Sequence, residues 1–137
     1  MRRRSILVAM DRTSDPLARQ AHADLVLDRA AQQLRDILHA AVAAIDPFPP
    51  YPASFYNYGI EIEPPPGGRG DRGCVVVGAD GELYELIMRV DFSGDPADPV
   101  GMRDEEMRKL DLAAAEYVLL AHEAIKAVVA YQLAESA

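Results

Sequence analysis

The chain has 137 residues and a mass of 15.0 kDa, the size of one domain. Half of it is hydrophobic and 26% is charged, which excludes a disordered tail or a collagen-like repeat, and its single cysteine excludes an intramolecular disulfide and a multi-cysteine zinc site. Fourteen basic residues against 22 acidic ones leave a net charge of −8, which argues against electrostatic binding of nucleic acid or an anionic membrane.

Met1-Arg2-Arg3-Arg4 precedes only the short apolar or small run Ser5 to Met10 before Asp11, too little for the core of a signal peptide. No stretch reaches the roughly 18 uncharged apolar residues of a membrane span, so the expected location is cytoplasmic. Residues 5–10 have the composition of a short strand or an apolar arm. Ser14-Asp15-Pro16 marks a helix start: either polar side chain can accept the free N–H groups, and a proline in the first turn has no N–H to leave unsatisfied. Leu27, Ala30, Leu34, Ile37, Leu38, Ala41, Val42 and Ile45 recur at helical spacing and predict a helix over 17–45. Arg29, Gln32, Gln33, Asp36 and His39 fall on its opposite, solvated side. Asp46-Pro47 ends it, because the residue before proline is pushed out of the α region.

Residues 46–73 change character. Most of the prolines are here, together with Phe48, Tyr51, Phe55, Tyr56 and Tyr58. Tyr58 to Glu63 alternates as a strand does, and Gly67 to Gly73 reads as a loop. The prolines lower the ordering cost of the aromatic part, which predicts a segment folded back as a lid over the domain, with Phe48, Tyr51, Phe55 and Tyr56 as its partner-facing candidates. Cys74 to Gly78 is rich in β-branched residues, Ala79-Asp80-Gly81-Glu82 is a turn, and the following strand alternates. Tyr84, Leu86, Met88, Val90 and Phe92 share one side, and Glu85, Arg89 and Asp91 the other. After an acidic loop over 93–99, a long helix is expected over 102–134, with Asp104–Arg108 and Glu105–Lys109 as i,i+4 acid-before-base pairs.

These elements predict a single α+β domain over 1–137. It is a two-layer sandwich of helix, three-stranded antiparallel meander and long helix, with room for an extra N-terminal strand and with both helices on the Leu86/Val90 face. A helix over 102–134 would be about 50 Å long, against about 33 Å for the longest strand. It is also apolar over most of its circumference from Leu110 to Leu133. Tyr117, Ala121, Ala124, Val128 and Tyr131 step by four and three, the seam of a helix pair, and are the expected interface of a homo-oligomer.

No residue pattern points to a cofactor, a metal or a catalytic group. Gly67 to Gly73 runs into a strand, whereas a phosphate loop opens a helix with Gly-Lys-Ser/Thr. Asp91, Asp95, Asp98 and Asp104 are interrupted by Pro96 and Pro99 and lack the Asp-x-Asp-x-Asp-Gly spacing of a calcium loop. His22, His39 and His122 lack zinc spacing, and Cys74 reads as a buried structural thiol.

Helix, three strands, helix is also the topology of double-stranded RNA binding domains, but Arg103-Asp104-Glu105-Glu106 would repel phosphate where those domains place lysines. Gly73-Cys74-Val75-Val76-Val77, with Gly81-Glu82-Leu83 and Val90-Asp91, is similar to the hairpin of YbaB-type nucleoid-associated proteins, which are acidic and dimerise. That resemblance implies an architectural DNA binder, for which Arg2 to Arg4 would be the basic arm. The expected function is a non-catalytic, oligomeric, accessory or regulatory protein that works through protein contacts. The alternatives are the YbaB-like DNA binder and a small enzyme with a cleft under 46–73.

Overall fold

The computed structural model describes residues 15–52, 54, 57–65, 73–90, 97 and 103–136, with Val90 and Arg103 described through their backbone only. Helix α1 runs Pro16–Ala43. The Asp15 carboxylate accepts the Leu17 N–H at 3.0 Å, and Pro16 occupies the first turn. Residues 15–26 are exposed throughout; from Leu34 onward Leu34, Leu38, Ala41, Val42 and Ile45 turn into the core.

Four antiparallel strands follow: β1 (Ile60–Glu61), β2 (Cys74–Val77), β3 (Leu83–Val90) and β4 (Arg103–Lys109), in the spatial order β1-β2-β3-β4. Ile60 pairs with Val77, Cys74 with Leu86, and Tyr84 with Lys109. The β2–β3 turn needs Gly81, whose φ is +79°; a Cβ there would also lie 2.6 Å from the His39 ring. Helix α2 (Ala114–Glu135) closes the chain and packs against α1.

The strand alternation sorts side chains onto two covered faces. Ile62, Val75, Val77 and Leu83 meet the helices, joining Leu38, Val42, Tyr117, Leu120, Ala121, Ala124 and Val128. Val76 and Leu86 face the other way and are covered by Tyr51, with Cys74, Tyr84 and Met107 around them. The chain is therefore α+β as its pattern predicts, with Tyr51 laid on the face that the helices leave open.

Three expectations are corrected. The helix over 102–134 is a strand and a shorter helix, so the meander has four strands instead of three. Residues 103–109 have helix-compatible charge spacing, but seven cross-strand pairs with β3 outweigh the few tenths of a kcal/mol that i,i+4 pairs contribute. Asp104 and Arg108 consequently reach β3 and β4 neighbours: Arg89–Asp104 is 3.7 Å and Arg108–Glu85 is 3.8 Å. Secondly, α2 is about 33 Å long, so the overhang argued from a 50 Å helix is absent. Thirdly, the helices sit on the Val75/Val77/Leu83 face, because Leu86 belongs to the opposite side together with Tyr51. The candidate N-terminal strand at 5–10 and the side chain of Val90 lie outside the described residues.

Leu38 is fully buried, whereas its neighbour Ile37 is 51% exposed. Leu38→Ala is expected to lower unfolding free energy by about 2–5 kcal/mol. Gln33→Ala, at an exposed position of the same helix, should stay within about 0.5 kcal/mol of the parent. Denaturant titrations followed by circular dichroism measure both, and equal losses would refute this assignment of the helix face.

Candidate functional site

The five residues expected to form an oligomer seam do form the spacing of a helix pair, and within one chain the partner is α1. Tyr117, Ala121, Ala124 and Val128 are 4%, 0%, 0% and 0% exposed, so they present no free surface, and Tyr131 is half-buried. Of the aromatic candidates, Tyr51 is buried on the sheet and Phe48 is half-buried against the helix-side core. Phe55 and Tyr56 lie outside the described residues. Tyr58 is 58% exposed.

The segment that carries these aromatics is tied down by polar contacts. It closes on itself through Tyr51 N–H to Asn57 O at 3.0 Å and Gly59 N–H to Pro49 O at 3.1 Å. Glu105 of β4 anchors it, accepting from the Ser54 hydroxyl and, at 3.1 Å, from the Asn57 amide. At its other end the Tyr51 hydroxyl lies 3.1 Å from Cys74 Sγ, which donates to Glu61 Oε1 at 3.3 Å. Burial pushes the Cys74 thiol up; the hydrogen bond from Tyr51 opposes this, the Glu61 carboxylate reinforces it, and the balance is upward. Tyr51 is driven well above the ordinary phenol range, first by its bond to Cys74 and then by burial. A nucleophilic cysteine needs a stabilised thiolate. Here the phenol and the thiol instead keep their protons, and the contacts serve packing.

A second polar group forms where α1 crosses the β2–β3 turn. Glu82 receives His39 Nε2 at 3.0 Å and Lys109 Nζ at 3.1 Å. Burial pushes the Glu82 carboxyl up, but the His39 and Lys109 contacts outweigh it and the net shift is downward. Asp80 accepts the Glu82 N–H at 3.0 Å and the Tyr84 hydroxyl at 2.5 Å. Its carboxyl is likewise lowered, burial being opposed by these bonds. Tyr84 is pushed up to about 12, chiefly by its bond to Asp80.

Beside this group lies a cleft of about 170 Å³, lined by Arg35, Glu82, Lys109, Asp111 and Tyr117 among others. The Arg35 guanidinium sits 4.6 Å above the Tyr117 ring, a cation–π contact, and Arg35 Nε and the Tyr117 hydroxyl are buried without hydrogen-bond partners. A general base needs an ionisable group free to take a proton near neutral pH. Glu82 and Asp80 are held ionised by donors already in place, so the arrangement supports structure.

His39 is exposed, as the solvated side of its helix implies, and it also bridges to Glu82 across 43 residues of sequence. No local motif announces that contact. Among the described residues no three His, Cys, Asp or Glu side chains converge as a metal site requires, and no helix is long and apolar enough to cross a membrane. Asp104 pairs with Arg89, while Asp91, Asp95 and Asp98 lie outside the described residues. Comparison with protein-family models, with characterised proteins and with solved structures finds no match to this chain.

What remains is the outer surface of the helices. Of the nine large hydrophobic side chains that are exposed among the described residues, seven lie on the helical layer: Leu17, Leu25, Val26 and Ile37 on α1, and Leu119, Val129 and Leu133 on α2.

The lowered carboxyl of Glu82 fixes a sign. A group bound more weakly by protons in the folded state contributes stability above its unfolded pKa and loses it as pH falls through the carboxylate range. Glu82→Gln is therefore expected to lower stability by about 1 kcal/mol at pH 7. The gap to the parent should close toward about pH 4. Denaturation midpoints at several pH values measure it, and a constant gap would refute the ionic reading.

Proposed function

We propose that this chain is a non-catalytic protein that acts through protein contacts, the first of them with a second copy of itself through the outward side of its two-helix layer. The observation that carries this reading is the concentration of exposed apolar side chains on α1 and α2. Val26 and Ile37 lie about three turns apart and share one side of α1; Leu119, Val129 and Leu133 fall within about a quarter of the circumference of α2. Each helix thus has an inner apolar face covered by its neighbour and an outer apolar strip in water. An isologous contact between such strips would bury both copies' strips at once.

The polar groups fit the same reading. The carboxylates of Glu82 and Asp80 are engaged, and the Cys74 thiol is held protonated, so the titratable clusters do not compete as reaction centres.

Light scattering on the eluting peak at tens of micromolar is expected to give at least twice the 15.0 kDa chain mass. Leu119 and Leu133 are 56% and 66% exposed, so Leu119→Asp with Leu133→Asp should leave the fold intact while reducing that mass. A parent chain running as a single 15.0 kDa particle would overturn the proposal.

A further inference from the structure

The outer edge of β4 carries a second self-complementary surface, independent of the helical strips. β4 is the last strand in the sheet order, and among the described residues no strand pairs with its outer side. The Leu110 N–H donates to Leu83 O at 3.0 Å, so that pair is hydrogen-bonded. Hydrogen-bonded and non-hydrogen-bonded pairs alternate along an antiparallel ladder. In the register that places Glu85 opposite Arg108 and Ile87 opposite Glu106, the backbone groups of Arg108, Glu106 and Asp104 therefore point to β3. Those of Glu105, Met107 and Lys109 point outward.

Exposed edges are commonly blunted with charge, and β4 is heavily charged. Here, however, the charges after Arg103 are sorted by sign: Asp104, Glu105 and Glu106 precede Met107, and Arg108 and Lys109 follow it. We propose that β4 pairs antiparallel with β4 of a second copy of this chain, with the two-fold axis at Met107, joining two four-stranded sheets into one of eight strands. In that register Glu106 faces Arg108 of the other copy, Glu105 faces its Lys109, and each contact occurs twice by symmetry. The outward-pointing backbone groups of Met107, and of Glu105 and Lys109, fall opposite one another as the ladder requires.

The neighbouring registers allowed by the same symmetry are less favourable. Centring the pair on Glu106 gives two Asp104–Arg108 contacts but sets Glu106 against itself and Lys109 against Arg103 twice; centring it on Arg108 sets Arg108 against itself. A shift by a single residue would put facing side chains on opposite sides of the sheet. The charges therefore favour the register centred on Met107, which alone sets no like charges opposite each other. Arg108, Lys109 and Glu106 have side chains 55%, 60% and 45% exposed, so they can reach across while keeping neighbours within their own chain. Glu105 already accepts from Ser54 and Asn57, which holds its carboxylate beside the edge.

Cross-linking tests the register directly. In a Cys74→Ala chain, Met107→Cys places two thiols opposite each other at the two-fold axis, where the Cα separation of about 5.5 Å lies within disulfide range. Copper-catalysed air oxidation at tens of micromolar is expected to give a covalent dimer in at least tenfold higher yield than Asp104→Cys, whose position does not face itself. In the chain with its native cysteine, Arg108→Glu should lower the mass seen by light scattering, and Glu106→Arg with Arg108→Glu should restore it, since the swapped charges again face each other. Equal cross-linking at positions 107 and 104, or an Arg108→Glu chain with unchanged mass, would overturn the proposal. The helical reading fails separately: a mass sensitive to the β4 charges but not to Leu119 and Leu133 leaves this inference standing alone. A mass sensitive only to the leucines, without the position-107 cross-link, removes this inference and keeps the helical contact.

Discussion

The central strand β2 must be covered on both sides, and the rest of the architecture follows from that requirement. Val75, Val76 and Val77 are 8%, 0% and 0% exposed, although adjacent residues of a strand point to opposite faces. A two-layer fold with one solvated sheet face would leave Val76 in water. The helices cover Val75 and Val77, and Tyr51 with its proline-framed loop covers Val76 and Leu86. Among the described aromatic residues of 46–63, Tyr51 supplies this cover and Phe48 packs on the helix side. Proline fixes φ in advance and the aromatic rings supply area, so a short irregular segment can do what a third layer would otherwise do.

That cover is held by part-buried and exposed polar contacts at its edges. Tyr51, Cys74 and Glu61 form a chain in which the phenol and thiol hold their protons, and Glu105 receives two donors from the loop. On the helix side, His39 and Lys109 close on Glu82 while Gly81 admits the His39 ring. In each case a carboxylate at the edge of an apolar layer joins two segments distant in sequence. Hydrogen bonding to the charged form offsets the cost of partial burial there.

The helical period of 27–45 and the alternation of 74–90 were both readable, because each depends on apolar spacing within one segment. The division of 102–134 was not. Residues 103–109 contain one apolar side chain, Met107, so neither a helical nor a strand period can be drawn from hydrophobicity, and only pairing with β3 decides the conformation. The stepped set from Tyr117 to Tyr131 reads as a seam between chains, but Tyr117, Ala121, Ala124 and Val128 pack in the core of their own chain; spacing does not say whether the facing helix belongs to the same chain. The Leu86 side was misassigned because β3 has apolar residues on both sides, Leu83 and Ile87 as well as Leu86, and alternation alone cannot tell which side the helices take. The His39–Glu82 and Ser54–Glu105 contacts join residues 43 and 51 positions apart and leave no local trace.

Helix α1 is two structures in energetic terms. From Leu34 to Ala43 it is fixed by the core, whereas over 16–26 every residue is exposed and local contacts contribute to order: the Asp15 cap, Pro16, and the Gln20–Asp24 side-chain bond of 3.0 Å. Isolated helical turns are marginal in water, because propagation gains little per residue against the cost of ordering. The first three turns can therefore fray and re-form without disturbing Leu38 or Val42. Amide protons there exchange through local opening, while those beside Leu38 wait for global unfolding, so one continuous rod contains two steps of the stability scale.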